Sequence, residues 1–196
     1  TEFKSINYWV DVVFTRTNGG TPPDITKQPV AAALCEGLTA SFTSEAGGSP
    51  APTVQWQSSL DGISWTNISG ATSTTLSFVV NSADNNKIIR AVWTNAEGSV
   101  YSSPVVLTVT APPELTSDLA VTVTSGTALN YIPTSSGAGT VFTWSRAIVS
   151  GISNVGTSGS GNITETLINT TSSPVDVIYV YTLALNGCTA NENVVV

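Results

Sequence analysis

The sequence predicts an all-β chain: two tandem β-sandwiches preceded by a single extended strand. Three observations predict it. Apolar residues recur with period two and nowhere with the period of a helix, and clusters of Gly, Pro, Asn and Ser punctuate the runs at the spacing of sandwich strands. Two Pro-rich breaks, Thr21-Pro22-Pro23-Asp24 and Ala111-Pro112-Pro113-Glu114, each follow a strand-like run and precede another, as short stiff linkers between β modules do. They divide the chain into a leader over 1–20, a first sandwich over 21–111 and a second over 112–196.

In the leader, Ile6, Tyr8, Val10, Val12 and Phe14 fall on one face of an extended strand, with Asn7, Trp9 and Asp11 on the other. It has no hairpin partner before Asn18-Gly19-Gly20. A lone strand with an apolar face is unstable and sticky, so this one is expected to pair outside its own segment. It is read as a donor strand for another copy, as the remnant of a preceding module, or as an added edge strand on the first sandwich.

Within 21–111 the alternation gives Leu38, Ala40 and Phe42, then Val54 and Trp56, then Leu76, Phe78 and Val80, then Ile89, Ala91 and Trp93, and finally Val105, Leu107 and Val109. Turn clusters such as Ala46-Gly47-Gly48-Ser49-Pro50 separate them. Through Leu34-Cys35-Glu36-Gly37, Val54-Gln55-Trp56-Gln57, Trp65-Thr66-Asn67-Ile68-Ser69-Gly70 and Arg90-Ala91-Val92-Trp93-Thr94-Asn95 the segment resembles bacterial immunoglobulin-like domains. The resemblance implies a core Trp56 facing the strand that begins near Ile88. Ile89 and Ala91 stand where the family often has a Tyr two residues before a Cys, so neither an inter-sheet disulfide nor a tyrosine corner is expected in this core.

Within 112–196 the strands read Leu119 to Thr124, Ala128 to Ile132, Val141 to Arg146, Ile163 to Ile168, Val175 to Leu185 and a last strand from Asn193. Through Val141-Phe142-Thr143-Trp144-Ser145-Arg146-Ala147, Gly161-Asn162-Ile163-Thr164-Glu165-Thr166-Leu167 and Tyr179-Val180-Tyr181-Thr182-Leu183 this segment resembles the PKD-like domains of large Bacteroidetes surface proteins. That family often places a Cys where Thr124 stands, as partner to the position of Cys188; here the partner is missing. The leader run Asn7 to Phe14 is similar to the closing strand of another β-sandwich module of multi-module secreted proteins. The absence of Met and the run Val194-Val195-Val196, which stops in mid-strand, are read as signs of a processed product or an excerpt of a longer precursor.

Composition removes several classes of function. Only 10% of residues are charged, against roughly 25% in ordinary soluble domains, and Ser, Thr and Asn fill the solvent positions. The net charge of −7 leaves no electrostatic footprint for nucleic acid or an anionic membrane, and no apolar run is long enough to span a bilayer. With no His the chain cannot build a Ser-His-Asp or Cys-His site, and it lacks the commonest zinc ligand. The thirteen carboxylates are scattered singly, and no pair at glycosidase spacing is visible. Neither catalysis nor a cofactor is expected. Asp84-Asn85-Asn86 is the nearest thing to a calcium run, and an inter-strand turn explains it better.

Two further sets of residues carry expectations. Trp65, after the Asp61-Gly62 turn, and Trp9 are candidate platforms for sugar stacking, with packing over its own sheet edge as the competing reading of Trp65; Trp56, Trp93 and Trp144 sit at core parity. Cys35 and Cys188 leave three states open: two buried thiols, a bridge between the sandwiches, or a bridge between neighbouring copies. Free Cys is readily buried as a small hydrophobe, which favours the first. The function expected is that of a non-catalytic extracellular, cell-surface structural or adhesive protein. Its sharpest form is a head-to-tail filament subunit joined through the leader strand, and its alternative is a carbohydrate-binding accessory module. The expected partners are other copies, neighbouring modules or glycans.

Overall fold

The computed structural model describes residues 19–196, so the leader strand from Ile6 to Phe14, with Trp9, lies outside the described residues. The rest is a chain of strands with immunoglobulin-like topology and two hydrophobic cores. The first sandwich contains β1 (Thr21–Lys27), β2 (Ala32–Cys35), β3 (Thr39–Thr43), β4 (Glu45–Ser49), β5 (Thr53–Ser59), β6 (Thr66–Asn67), β7 (Thr75–Val79), β8 (Ile88–Asn95), β9 (Gly98–Tyr101) and β10 (Val105–Thr110). One layer pairs β1 with β4 and β3 with β7. The other runs β2-β10-β8-β5-β6, with β9 also on β8. Only β2 lies parallel to its neighbour, β10; the other pairs are antiparallel.

Period-two burial builds this core from inward residues of both layers. Phe42, Trp56, Leu76, Val80, Ile89, Trp93 and Leu107 are all buried. Trp56 donates its indole N–H to the Ser73 carbonyl at 2.8 Å, so its burial leaves no orphaned donor. Trp93 donates to Ser44 Oγ at 3.0 Å, and Ser44 in turn donates to the Lys27 carbonyl at 3.1 Å, a buried polar stitch across the layers. Leu38 departs from the alternation and is 54% exposed. It sits just before β3, after the turn at Gly37, where the sandwich is open to solvent. Phe78 is half-buried and stacks on Phe42 with ring centroids 6.4 Å apart.

Thr21-Pro22-Pro23 is not a linker: it opens β1, with Thr21 opposite Ser49 and a break in register before Asp24. β1 has one strand partner, so the missing proline N–H groups cost the sheet nothing on the open side.

The second sandwich contains β11 (Ala128–Tyr131), β12 (Val141–Arg146), β13 (Thr157–Ser160), β14 (Ile163–Thr166), β15 (Ile178–Leu185) and β16 (Cys188–Val195). β11 pairs with β14, and the facing sheet runs β13-β12-β15-β16. Leu129, Tyr131, Ile163, Leu167, Tyr179, Tyr181, Leu183 and Val194 fill the space between. The strand expected over Leu119–Thr124 is reduced to bridges. Leu115 pairs with Ser135 beside one layer and Ala120 with Val195 on the other, so this segment changes layers and ladders with neither for long. The strand expected from Asn193 begins earlier, at Cys188, because Asn186 (φ 51°) and Gly187 (φ 83°) form a two-residue turn that pairs Leu185 with Cys188. Between the sandwiches, Pro113 is fully buried, and the Leu115 amide donates to Glu192 at 2.7 Å.

Candidate functional site

The most distinctive chemistry of the chain is where the sandwiches meet. β2 ends at Cys35, opposite Thr110, the last residue of β10 and the point at which the chain leaves the first sandwich. The Asn186-Gly187 turn carries Cys188 back to the same place, with its sulfur 3.7 Å from the Thr110 carbonyl. Cys35 and Cys188 are joined in a disulfide with Cα atoms 5.6 Å apart, across 153 positions of sequence. Cys188 is buried. The favoured state of two inert thiols is therefore not the one adopted, because the hairpin tip delivers one sulfur to the end of a strand that holds the other. A shallow cleft beside the bond is lined by Leu34, Leu38, Thr110 and Asn186.

Trp65 is half-buried. Asp61 holds the turn before it, accepting from Ser59 Oγ at 2.9 Å and from the Ile63 and Ser64 amides at 2.8 and 2.7 Å. Those backbone hydrogen bonds lower the Asp61 pKa to about 2. The Trp65 indole N–H donates to the Gly62 carbonyl at 3.2 Å. Its ring packs on the guanidinium of Arg90, 3.9 Å from the ring centroid, and Arg90 also lies 4.3 Å from the centroid of Tyr101. Gln57 Oε1 accepts from Arg90 Nε at 2.8 Å and fixes its plane. One face of each ring is thus taken by a cation, and what is left for a ligand is the outer face of Trp65 and the exposed Tyr101.

In the second sandwich Arg146 is buried, with no exposed side-chain surface, and its partner Glu165 is 15% exposed. Arg146 Nε and Nη2 donate to the two Glu165 oxygens at 3.0 and 2.6 Å, a bidentate pair. The remaining donors reach the Ala147 and Val155 carbonyls at 3.1 and 2.6 Å, and the Tyr179 hydroxyl donates to Glu165 at 2.6 Å. Burial pushes the Glu165 carboxyl up, but the hydrogen bonds from Arg146 and Tyr179, with the charge of Arg146, outweigh it and hold it below the usual range. The Tyr179 hydroxyl is pushed far up, first by burial and then by its bond to Glu165. Every charged atom is matched, so this is a structural clasp pinning β12, β14 and β15. It has no free base to offer a substrate.

The Asp84-Asn85-Asn86 run folds as a turn. A one-turn 3-10 helix over Ser82–Asp84 is capped by Asn81, Asp84 pairs with Lys87, and Asn85 accepts from the Val109 amide at 2.9 Å. Among the described residues no three His, Cys, Asp or Glu side chains are grouped to hold a metal ion. No described helix is long and apolar enough to cross a membrane. Arg90 and the Asn186-Gly187 turn were missed from sequence. Asn-Gly after Leu183 and Leu185 is the hairpin signal that finds the second; nothing local marks the first.

Comparisons with known proteins agree with this geometry. Residues 26–111 match the model of a family described as a domain of unknown function (DUF8696). Over 89 residues the chain is 48% identical to Endoglucanase C of Cellulomonas fimi, a match that takes in 45% of this chain and 8% of that protein. An I-band fragment of titin superimposes with a TM-score of 0.51 at 16% identity, covering 88% of this chain and 64% of the fragment. A three-immunoglobulin titin structure carrying a Glu-to-Ala change gives the same values. At such identity the titin likeness shows the fold alone: all-β and immunoglobulin-like. The endoglucanase match takes in a small part of a large protein.

Proposed function

We propose that this chain is a non-catalytic structural segment of a larger extracellular protein, in which two sandwiches are locked to one another as a spacer. The Cys35–Cys188 bond carries the reading. Disulfides form and persist outside the reducing cytosol, and this one joins two hydrophobic cores that the Pro112-Pro113 linker already holds close. The endoglucanase match supports it, since a segment like 45% of this chain is there a small part of a longer protein. In its finer form the proposal assigns the second sandwich to the PKD-like modules of Bacteroidetes surface proteins and the segments 1–20, 21–111 and 112–196 to leader, first and second module. Small-angle scattering on protein isolated from oxidising medium tests the spacer. The radius of gyration should rise on Cys35→Ser/Cys188→Ser substitution while both sandwiches stay folded. An unchanged radius, or free thiols in the native protein, sinks it.

The leader strand extends the proposal to assembly. Its apolar face from Ile6 to Phe14 suits it to augment a sheet edge of another copy or of a neighbouring module, and β7, β13 and β14 end their sheets on one side. Deleting residues 1–15 should abolish any filaments visible by negative-stain microscopy; filaments that persist count against assembly through the leader. A second reading, a carbohydrate-binding accessory module, is favoured by the endoglucanase match together with the outer face of Trp65 and the exposed Tyr101. A glycan array probed with wild type and Trp65→Ala separates the readings, and binding no greater than background removes this one.

A further inference from the structure

The position of the disulfide along the chain has a mechanical meaning. Tension on a protein within a longer chain enters at one end and leaves at the other. Here it would run down β1 and β2 to Cys35, and β16 would carry it from Cys188 to Val195. Cys35 lies where the first sandwich passes the chain on, opposite Thr110. Cys188 lies at the hairpin tip that touches that same residue, with β16 leading away from the junction. The sulfur–sulfur bond therefore joins the end of the incoming strand to the start of the outgoing one, and everything between, across a sequence separation of 153, is a closed side loop.

We infer that Cys35–Cys188 is a force bypass: under tension the load crosses from β2 to β16 through the covalent bond, and neither the linker nor strands β3 to β15 can be drawn out. This rests on the reading of the chain as a spacer within a longer protein, since only there does tension act along it. The inference differs from simple stabilisation. A bond joining two residues of one loop would shield only the few residues it encloses, whereas this one shields nearly all of both sandwiches. Among the described residues, those that stay extensible lie ahead of Cys35, mostly in β1 and β2, held by β4 and β10, and beyond Cys188 in β16, held along its length by β15.

Single-molecule stretching of the full chain between handles on its two termini tests this, using molecules shown by mass to carry the bond. At ~3.3–3.6 Å per extended residue the side loop is worth about 50 nm of contour. Oxidised molecules should release no single step larger than about 10 nm. Molecules treated with a phosphine reductant, and the Cys35→Ser/Cys188→Ser variant, should release about 50 nm more in one or two steps. Agreement between the reduced wild type and the double variant guards against a folding defect in either. Oxidised molecules that release steps larger than about 10 nm, the bond giving way under load, overturn the bypass while leaving the spacer reading intact. Free thiols in protein from oxidising medium overturn the spacer reading, and the bypass with it.

Discussion

Glu165→Gln removes the charge from the buried clasp and leaves nearly everything else in place. Arg146 has no exposed side-chain surface, so the guanidinium that loses its counter-charge has no water to turn to. Breaking a buried pair by removing one partner costs about 3–5 kcal/mol. Arg146 keeps its bonds to the Ala147 and Val155 carbonyls, and the glutamine oxygen still accepts from one neighbour, which places the expected loss near the lower end, at about 3 kcal/mol. Equilibrium unfolding in urea, followed by tryptophan fluorescence in a variant that keeps Trp144, beside Tyr179, as its one tryptophan, reads it. Arg146→Met/Glu165→Leu, which removes both charges, should recover most of that loss, because a buried pair replaced by apolar side chains is often neutral or better. The pH dependence follows from the same pair. The Glu165 carboxyl titrates lower folded than unfolded, so its contribution is fully present above the unfolded value of about 4.3 and is lost as pH falls through the lower folded value. The Glu165→Gln variant should lack that acid-side decline. A loss under about 1 kcal/mol, or an unchanged acid limb, would refute the account of a desolvated, mutually dependent pair.

Other substitutions probe other parts of the molecule. Cys35→Ser/Cys188→Ser removes the restraint on a 153-position loop, for which chain entropy predicts a loss of up to about 5 kcal/mol; calorimetry should show lower and less coincident unfolding transitions, and an unchanged thermogram would contradict this. Gly159→Ala would place a methyl 2.7 Å from the Trp144 ring, so displacement of the indole and a loss of about 1–3 kcal/mol are expected in chemical denaturation. Trp56→Phe leaves the Ser73 carbonyl without its 2.8 Å donor and opens space in a filled core; about 2–4 kcal/mol should be lost, against under 1 if the ring merely fills volume.

Much of the fold is legible because a strand has only two faces. Phe42, Trp56, Leu76, Ile89, Trp93 and Leu107 are placed by parity alone, and parity does not depend on which strands become neighbours. It fails at the ends of strands: Leu38 has the right parity but sits beyond the cover of the opposing layer. Pro22-Pro23 misleads for a related reason, since a sequence does not say that β1 will be an edge, where proline is tolerated. The candidate site is less legible still. The closeness of Cys35 and Cys188 depends on how a hairpin tip of one sandwich meets a strand end of the other, and no local pattern encodes a contact across 153 positions. Arg90 likewise reads as a solvated charge until Trp65 and Tyr101, from separate segments, close on its two faces.

The Cys35–Cys188 bond also changes what a protease can achieve. Exposed loops such as Leu60 to Ser64, or the turns near Ile148 and Val155, are open to cutting, and all lie between the two cysteines. A single nick in any of them yields two polypeptides that remain one molecule, each piece still anchored through sulfur. In a digestive or microbially crowded environment, such a segment would keep its neighbours tethered after its backbone had been severed.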